Sequence, residues 1–233
     1  MRLAFVICVS DAQILARNAL ASPCMASRAE DRLFLMHGCR SAADGFNAAR
    51  VLARSEWLVF LHQDVFLPEG WDVQFSTGLE QAQHRFPRLA VAGVYGVQTL
   101  ADGTPLRAGR VRDRGRWLEE PAELPCAVQS LDELLFAVRR DSGLQLDPRL
   151  GFDLYATDLV LSARARGFQA AAVEAPCHHN AGWSADNVPE ETLRRFAASA
   201  AVFAAKWRDQ LPIHTPCWPF IDARRLPPGP PPL

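Results

Sequence analysis

The run Trp57-Leu58-Val59-Phe60-Leu61 leads directly into His62-Gln63-Asp64. Five consecutive apolar residues are too few for a membrane span and too continuous for a strand with one wet face. They predict a strand buried on both faces. Such a strand belongs inside an α/β sheet, and an imidazole and a carboxylate at its end stand where open α/β sheets gather ligand chemistry. An Asp at a strand end can also do no more than cap a turn, so its meaning depends on what the rest of the chain brings beside it.

The sequence before this strand alternates in kind. Residues 3–9 read as a buried strand, and Ser10-Asp11 ends it, with Asp11 as the cap of a helix over 12–20 that Ser22-Pro23 stops. A second strand over 32–37 and a polar turn over 38–44 precede a helix over 45–53, where Phe46, Ala49 and Ala53 recur at helical spacing. Strand, helix, strand, helix, strand is the pattern of a parallel sheet with right-handed crossovers.

Beyond the turn at Pro68-Glu69-Gly70-Trp71, a helix over 72–84 and a strand over 89–95 are expected. Residues 96–125 then change character, with several turn glycines and arginines at 107, 110, 112, 114 and 116. This segment reads as a solvated, mobile loop, or alternatively as a lid or a phosphate-facing patch. Two strands flank Leu131-Asp132-Glu133 within 126–139. A helix over 153–166 ends at Gly167, a strand covers 168–173, a loop 175–180 and an amphipathic helix 189–207. The proline run 227–232 suits neither helix nor strand and is expected to be extended or disordered.

At 233 residues the chain can bury most of its unfolded surface without disulfides or metal staples. Its 25 basic and 26 acidic residues give a net charge of −1, which excludes a general attraction to nucleic acid or anionic lipid. The opening apolar run is at the short limit for a signal peptide and lacks a small-x-small cleavage site before Asp11, and no segment reaches the ~20 apolar residues of a transmembrane helix. A cytoplasmic protein is expected, with room for peripheral membrane association. The six cysteines form no C-x-x-C pair, which argues for reduced thiols rather than a zinc knuckle.

Three sets of ionisable groups thus fall at or near element ends: His62 with Asp64; Asp132 with Asp153 and Asp158; and His178 with His179. Oxygen and imidazole ligands without thiolate suit Mn²⁺ or Mg²⁺, ions that in turn suit a diphosphate. Spacing alone points to metal-dependent phosphoryl or glycosyl transfer.

The order of these segments resembles the family 2 glycosyltransferases of the GT-A fold, in the branch whose metal motif reads H-Q-D in place of D-x-D. The resemblance rests on residues 60–65 followed by Pro68-Glu69-Gly70-Trp71, on Asn47 within 45–50, and on Leu131-Asp132-Glu133 followed by Leu135. It continues through the 147–161 segment, His179-Asn180-Ala181-Gly182-Trp183-Ser184 and Lys206-Trp207. It implies a single α/β domain over 1–210 with a mostly parallel mixed sheet, followed by an extension over 211–233. It also implies sugar transfer, with inversion, from a nucleotide-diphosphate donor to a carbohydrate, lipid-linked or protein acceptor.

By the same resemblance Asp64 would bind the ion, with His179 or His178 as a later ligand. His179 is preferred because it has the glycine and serine at family spacing. Ser10, Asp11, Asn47, His62, Gln63 and Asp132 would contact the donor or its surroundings, His62 as a residue behind the metal ligands or at the strand end. The acid–base half departs from the pattern. Asp153 stands where the family has His, Ala156 replaces the first Asp of a D-x-D pair and Ser162 replaces an Arg. The general base then falls to Asp153 or Asp158. A domain that binds a nucleotide or partner without turnover, or a nucleotidyltransferase, is the alternative, although Ser10-Asp11-Ala12-Gln13 is not the Gly-rich basic loop a nucleotidyltransferase needs.

Overall fold

The structure is a computed structural model, and it describes residues 1–26, 32–182, 187–217 and 221. The Pro-rich tail and Trp183-Ser184 lie outside the described residues. The strand β1 (Leu3–Val9) leads through α1 (Ala12–Arg17) to β2 (Leu33–His37), α2 (Ala42–Leu52), β3 (Trp57–Leu61) and the short β4 (Val65–Phe66). Then come α3 (Trp71–Arg85), β5 (Leu89–Gly93), β6 (Tyr95–Thr99), β7 (Pro105–Asp113), β8 (Arg116–Glu119), β9 (Cys126–Ala127), β10 (Ser130–Leu131) and β11 (Leu135–Arg139). The elements α4 (Tyr155–Ala165), β12 (Gln169–Ala172), β13 (Cys177–His179) and α5 (Glu190–Lys206) follow.

A seven-stranded sheet in the order β2-β1-β3-β11-β5-β12-β9 forms the centre. Within it β1, β2, β3, β5 and β12 run parallel, and β11 and β9 run against them. The expectation of a mostly parallel mixed sheet flanked by helices therefore holds. Every residue of β3 is buried, and its side chains alternate between two cores. Leu58 and Phe60 meet Phe46 of α2, Tyr155 and Leu159 of α4 and Phe203 of α5; Trp57, Val59 and Leu61 face Leu15 of α1 and Trp71, Phe75 and Leu79 of α3. Each such side chain contributes roughly 1.5–3 kcal/mol on burial, so both layers of helices depend on this one strand.

A second, six-stranded sheet, β10-β6-β7-β13-β4 with β8 on β7, lies over the ends of the first. It corrects two expectations. Residues 96–125 are not simply a loop, because β7 and β8 form a paired hairpin, and β13 lies inside the expected loop at 175–180. The glycine that suggests a turn at 109 instead permits close strand crossing. Gly109 has φ +110°, and a Cβ there would lie 2.0 Å from the Val94 carbonyl oxygen. The strand β13 has three residues and is held by partners far away in sequence, β4 and β7, so no local period reveals it.

The α4 and α5 helices are joined by a buried charge. Asp158, 1% exposed, accepts hydrogen bonds from Lys206 Nζ (2.9 Å) and Trp207 Nε1 (2.8 Å), and Lys206 also donates to Asp147 (3.0 Å). Burial pushes the Asp158 carboxyl upward, and Lys206 and Trp207 oppose that shift. In the extension, Ile213 and Ile221 pair and are buried, and Ser130 Oγ donates to the His214 carbonyl (2.8 Å). Residues 213–215 are thereby held beside β10. No helix among the described residues is long and apolar enough to cross a membrane.

Two stability outcomes follow from these contacts. Lys206→Met strands a buried carboxylate and is expected to cost on the order of 3 kcal/mol in urea unfolding, with Asp158→Asn milder; equal and negligible losses would show the clamp to be idle. Gly109→Ala adds a clash and a left-handed strain and should cost about 2 kcal/mol or more, which a loss below about 0.5 kcal/mol would contradict.

Candidate metal centre

The end of β3 is fixed by main-chain bonds that re-aim the chain. The His62 N–H donates to the Leu134 carbonyl (3.0 Å), and the Val65 N–H returns to the His62 carbonyl (3.2 Å). This turn lifts Asp64 out of the sheet line. Opposite it, β13 pairs His179 with Val65 on one side and with Asp113 on the other, and the Asn180 N–H donates to the Asp64 carbonyl (3.0 Å). His62, Asp64 and His179 thereby offer one ligand atom each, all within 4.8 Å of one another.

Asp64 Oδ1 is sealed from solvent and has no hydrogen-bond partner, although His179 Nε2 stands 3.6 Å away. Leaving a buried acceptor unsatisfied costs roughly 1–3 kcal/mol, and more when it is charged. A cation held between this oxygen and the two imidazoles removes that cost. The donor set of two nitrogens and one oxygen therefore fits a divalent ion, and among the described residues this is the group of such side chains able to hold one.

Each imidazole is oriented from behind. His179 Nδ1–H donates to Asp113 Oδ1 (2.9 Å), which turns Nε2 and its lone pair toward Asp64; carboxylate-backed histidines are the usual arrangement behind a metal. Burial works to lower the His179 pKa, but Asp113, Asp64 and Asp132 outweigh it and hold it above the ordinary value. His62 is the reverse case, since burial dominates and lowers its pKa despite Asp64 nearby. His62 Nε2 lies 2.8 Å from the Tyr155 hydroxyl, and that hydroxyl reaches the Glu133 carbonyl at 3.4 Å. If His62 Nε2–H donates to Tyr155 and Tyr155 donates to Glu133, every group is satisfied and Nδ1 of His62 is left as the lone pair. His62, expected behind the ligands or at the strand end, thus offers a ligand atom itself.

A cleft of about 580 Å³ opens beside this cluster, lined in part by Cys8, Ser10, Cys39, Gln63, Tyr155 and Arg195. Gln63 closes its floor: its Oε1 accepts from the Ser10 and Asp11 amides (3.0 Å each) and its Nε2 donates to Ser10 Oγ (2.8 Å). Ser10 and Gln63 therefore line the cleft as a mutual brace between β1 and β3. Asp11 accepts from the Gln13 and Ile14 amides as the α1 cap. Asn47 makes two bonds to the Leu146 main chain and Asp132 accepts from the Leu134 amide and Cys217 Sγ, and neither lines the cleft.

The other expected residues lie elsewhere or are engaged. The His178 ring packs between Phe66 and Trp117, at centroid distances of 5.7 and 5.9 Å, outside the metal cluster. Asp158, expected as a possible base, is held in the α4–α5 clamp and does not line the cleft. Asp153 is close to the cleft but forms a two-pronged ion pair with Arg195 (2.8 and 3.3 Å). Sequence reasoning missed Asp113, Tyr155 and Arg195 as site residues. Tyr155 gave one signal, because a tyrosine on an apolar helix stripe needs a partner for its hydroxyl; Arg195 lies on α5 and gave none.

No family model matches the chain. A curated protein of Fuscovulum blasticum, "ATP synthase subunits region ORF 6", is 29% identical over 163 residues, covering 66% of this chain. The chain spans 61% of that relative, whose name states no activity. Among solved structures, the mannosyltransferase PcManGT from Pyrobaculum calidifontis, in complex with GDP-Man and Mn²⁺, aligns with a TM-score of 0.55 at 13% identity, over 89% of this chain and 64% of that one. TarS 1-349 of S. aureus aligns with a TM-score of 0.46 at 10% identity, over 90% of this chain and 74% of that one. The likeness to PcManGT is one of fold, and this chain carries the α/β architecture of a GT-A-like glycosyltransferase.

Proposed function

We propose that the protein is a metal-dependent, inverting glycosyltransferase that moves a sugar from a nucleotide-diphosphate donor to a hydroxyl acceptor. The observation that carries this reading is the orphaned Asp64 oxygen facing two oriented imidazoles at the mouth of a cleft. The fold shared with a mannosyltransferase solved with GDP-Man and Mn²⁺ supports it.

In this reading His62, Asp64 and His179 hold the ion, and Ser10 meets the nucleoside at the end of β1. A divalent ion held by these residues would supply charge to neutralise what builds on the diphosphate leaving group. The chain's own residues do the positioning. Asp113 fixes the His179 tautomer, Tyr155 fixes that of His62, and Gln63 locks the strand ends so that the cleft floor does not shift as the donor enters. Arg195, lining the cleft with its charge partly spent on Asp153, adds positive potential where a diphosphate would lie.

A non-catalytic reading has one observation in its favour. Position 156 holds Ala, Asp158 is clamped and Asp153 is ion-paired, so the α4 helix presents no free carboxylate to an acceptor. Nucleotide binding without turnover would favour it.

Two outcomes test the catalytic reading. Titration with Mn²⁺ followed by electron paramagnetic resonance should show one bound ion, weakened about 10²-fold or more in Asp64→Ala and about 10-fold or more in Asp113→Ala; unchanged binding in both removes the metal site. With two imidazoles in the donor set, Mn²⁺ should also bind tighter than Mg²⁺. Incubated with Mn²⁺ and a panel of UDP-, GDP- and dTDP-sugars, the wild type should consume at least one donor and Asp64→Ala should lose about 10²-fold in rate. No consumption of any donor, with or without sugar acceptors, would refute the catalytic reading.

A further inference from the structure

The cysteines of the chain divide by exposure. Cys24, Cys126 and Cys177 are buried and Cys217 Sγ donates to Asp132, whereas Cys8 and Cys39 are half-buried and both line the cleft beside the metal cluster. The proposed sugar transfer uses neither of them. Cys8 lies near the end of β1, in register with Met36 of β2, and Cys39 lies just past β2, in the turn that leads into α2.

Both sulfurs meet at one glycine. A Cβ built on Gly45, inside α2, would stand 2.5 Å from Cys8 Sγ and 3.3 Å from Cys39 Sγ. Two atoms that border the same point so closely are within about 6 Å of each other, and side-chain rotation can bring them to bonding distance. Glycine weakens a helix interior, and alanine, the better helix former, would collide there with the Cys8 sulfur. Gly45 thus keeps room for the two thiols. The Cys39 Sγ makes only a weak contact with the Met36 carbonyl (3.6 Å) and its residue lies outside the strand ladder, so its side chain is free to turn toward Cys8.

We infer that Cys8 and Cys39 form a redox-active dithiol in the cleft wall, a site that exchanges with low-molecular-weight disulfides and closes reversibly to a disulfide tying the end of β1 to the β2–α2 turn. Burial, Cys39 and Asp44 hold the Cys8 thiol well above the ordinary range, against the pull of the Gly45 amide, so the first attack falls to Cys39. The Cys39 thiolate attacks one sulfur of the reagent, whose S–S bond breaks, and the departing thiolate takes up a proton in place of the one Cys39 lost. Cys39 is then neutral, and its charge no longer opposes ionisation of Cys8. The Cys8 thiolate attacks the Cys39 sulfur, and the second reagent thiol leaves with a proton in place of the one Cys8 lost. Two protein thiols have given up two electrons, and one small disulfide has gained them as two thiols. Transient closure of this kind is the form that disulfides take in reducing surroundings. The ion and the sugar donor take no part in the exchange, so it stands apart from the glycosyltransferase reading.

The test incubates the reduced full-length chain with excess oxidised glutathione at neutral pH, traps free thiols with iodoacetamide in denaturant and maps the peptides by mass spectrometry. Cys8 and Cys39 should be recovered mainly as one cross-linked pair, with Cys24, Cys126 and Cys177 still alkylated, and dithiothreitol should restore both thiols. Cys8→Ser should stop at a glutathione adduct on Cys39, and Cys39→Ser should slow modification of Cys8 about tenfold or more. Closure in the wild type is read without either variant, so a variant that fails to fold does not obscure the result. No reaction, an adduct on Cys39 that never closes, or cross-links from either residue to another cysteine would overturn the proposal and leave the glycosyltransferase reading standing. Modification of Cys8 at the wild-type rate in Cys39→Ser would overturn the order of attack.

Discussion

The structure depends on a strand with no free side. β3 is hydrogen-bonded to β1 on one edge and β11 on the other, and helices cover both faces. A polar side chain within it would have nowhere to go, so its five residues are apolar, and polar chemistry begins where the pairing with β11 ends. His62 is the first residue past that limit and Asp64 the first to leave the sheet line. The candidate ligand cluster is placed by the same burial that stabilises the fold. A core change such as Phe60→Ala would therefore disturb both, since Phe60 stacks on Phe136 at 5.4 Å and meets Tyr155, the partner of His62, at 5.6 Å.

Buried carboxylates are treated in two ways in this molecule, and the difference separates structure from chemistry. Asp158 and Asp153 each face a cation held at hydrogen-bond distance, Lys206 and Arg195, and both ties run from the α4 end of the chain to α5. Such pairs offset their own desolvation and fix how two helices meet. Asp64 and Glu133 each keep an oxygen without a donor. Such a cost calls for an account: a cation bound at Asp64 would relieve it there, and at Glu133 burial raises the carboxyl pKa and so favours the neutral form. Arg195 links the two groups, being close enough to influence both Glu133 and Tyr155 while bonded to Asp153.

Much of this was legible in the sequence, and the parts that were not share a cause. The bounds of β3 follow from its continuous apolar run and the α5 helix from its amphipathic period, because both signals are local. The β7–β8 hairpin was obscured by Gly109, which reads as a turn yet serves a close strand crossing, and β13 by its three-residue length. The same limit explains Asp158. Its place in the chain fits the acid of a known motif, whereas the partners its carboxylate takes, Lys206 and Trp207, lie 48 and 49 residues away. Spacing finds residues that share an element, and it cannot show which distant cation has already claimed a carboxylate.

That distinction bears on how a departure from a motif should be weighed. The Ala at 156 removes a carboxylate from the helix that a resemblance would have supply it, and taken alone it suggests loss of function. A catalytic proton, however, requires an oxygen at a place and not a residue at a position. Near that place Asp153 has both of its oxygens held by Arg195, and Asp158 is tied to Lys206 and Trp207. The histidines support the same view from the metal side. With one carboxylate in place of two, the ligand set carries less negative charge. An ion held there would keep more of its own charge, and the contacts of Asp113 with His179 and of Tyr155 with His62 would offset the loss in Coulombic affinity by holding the two rings in place.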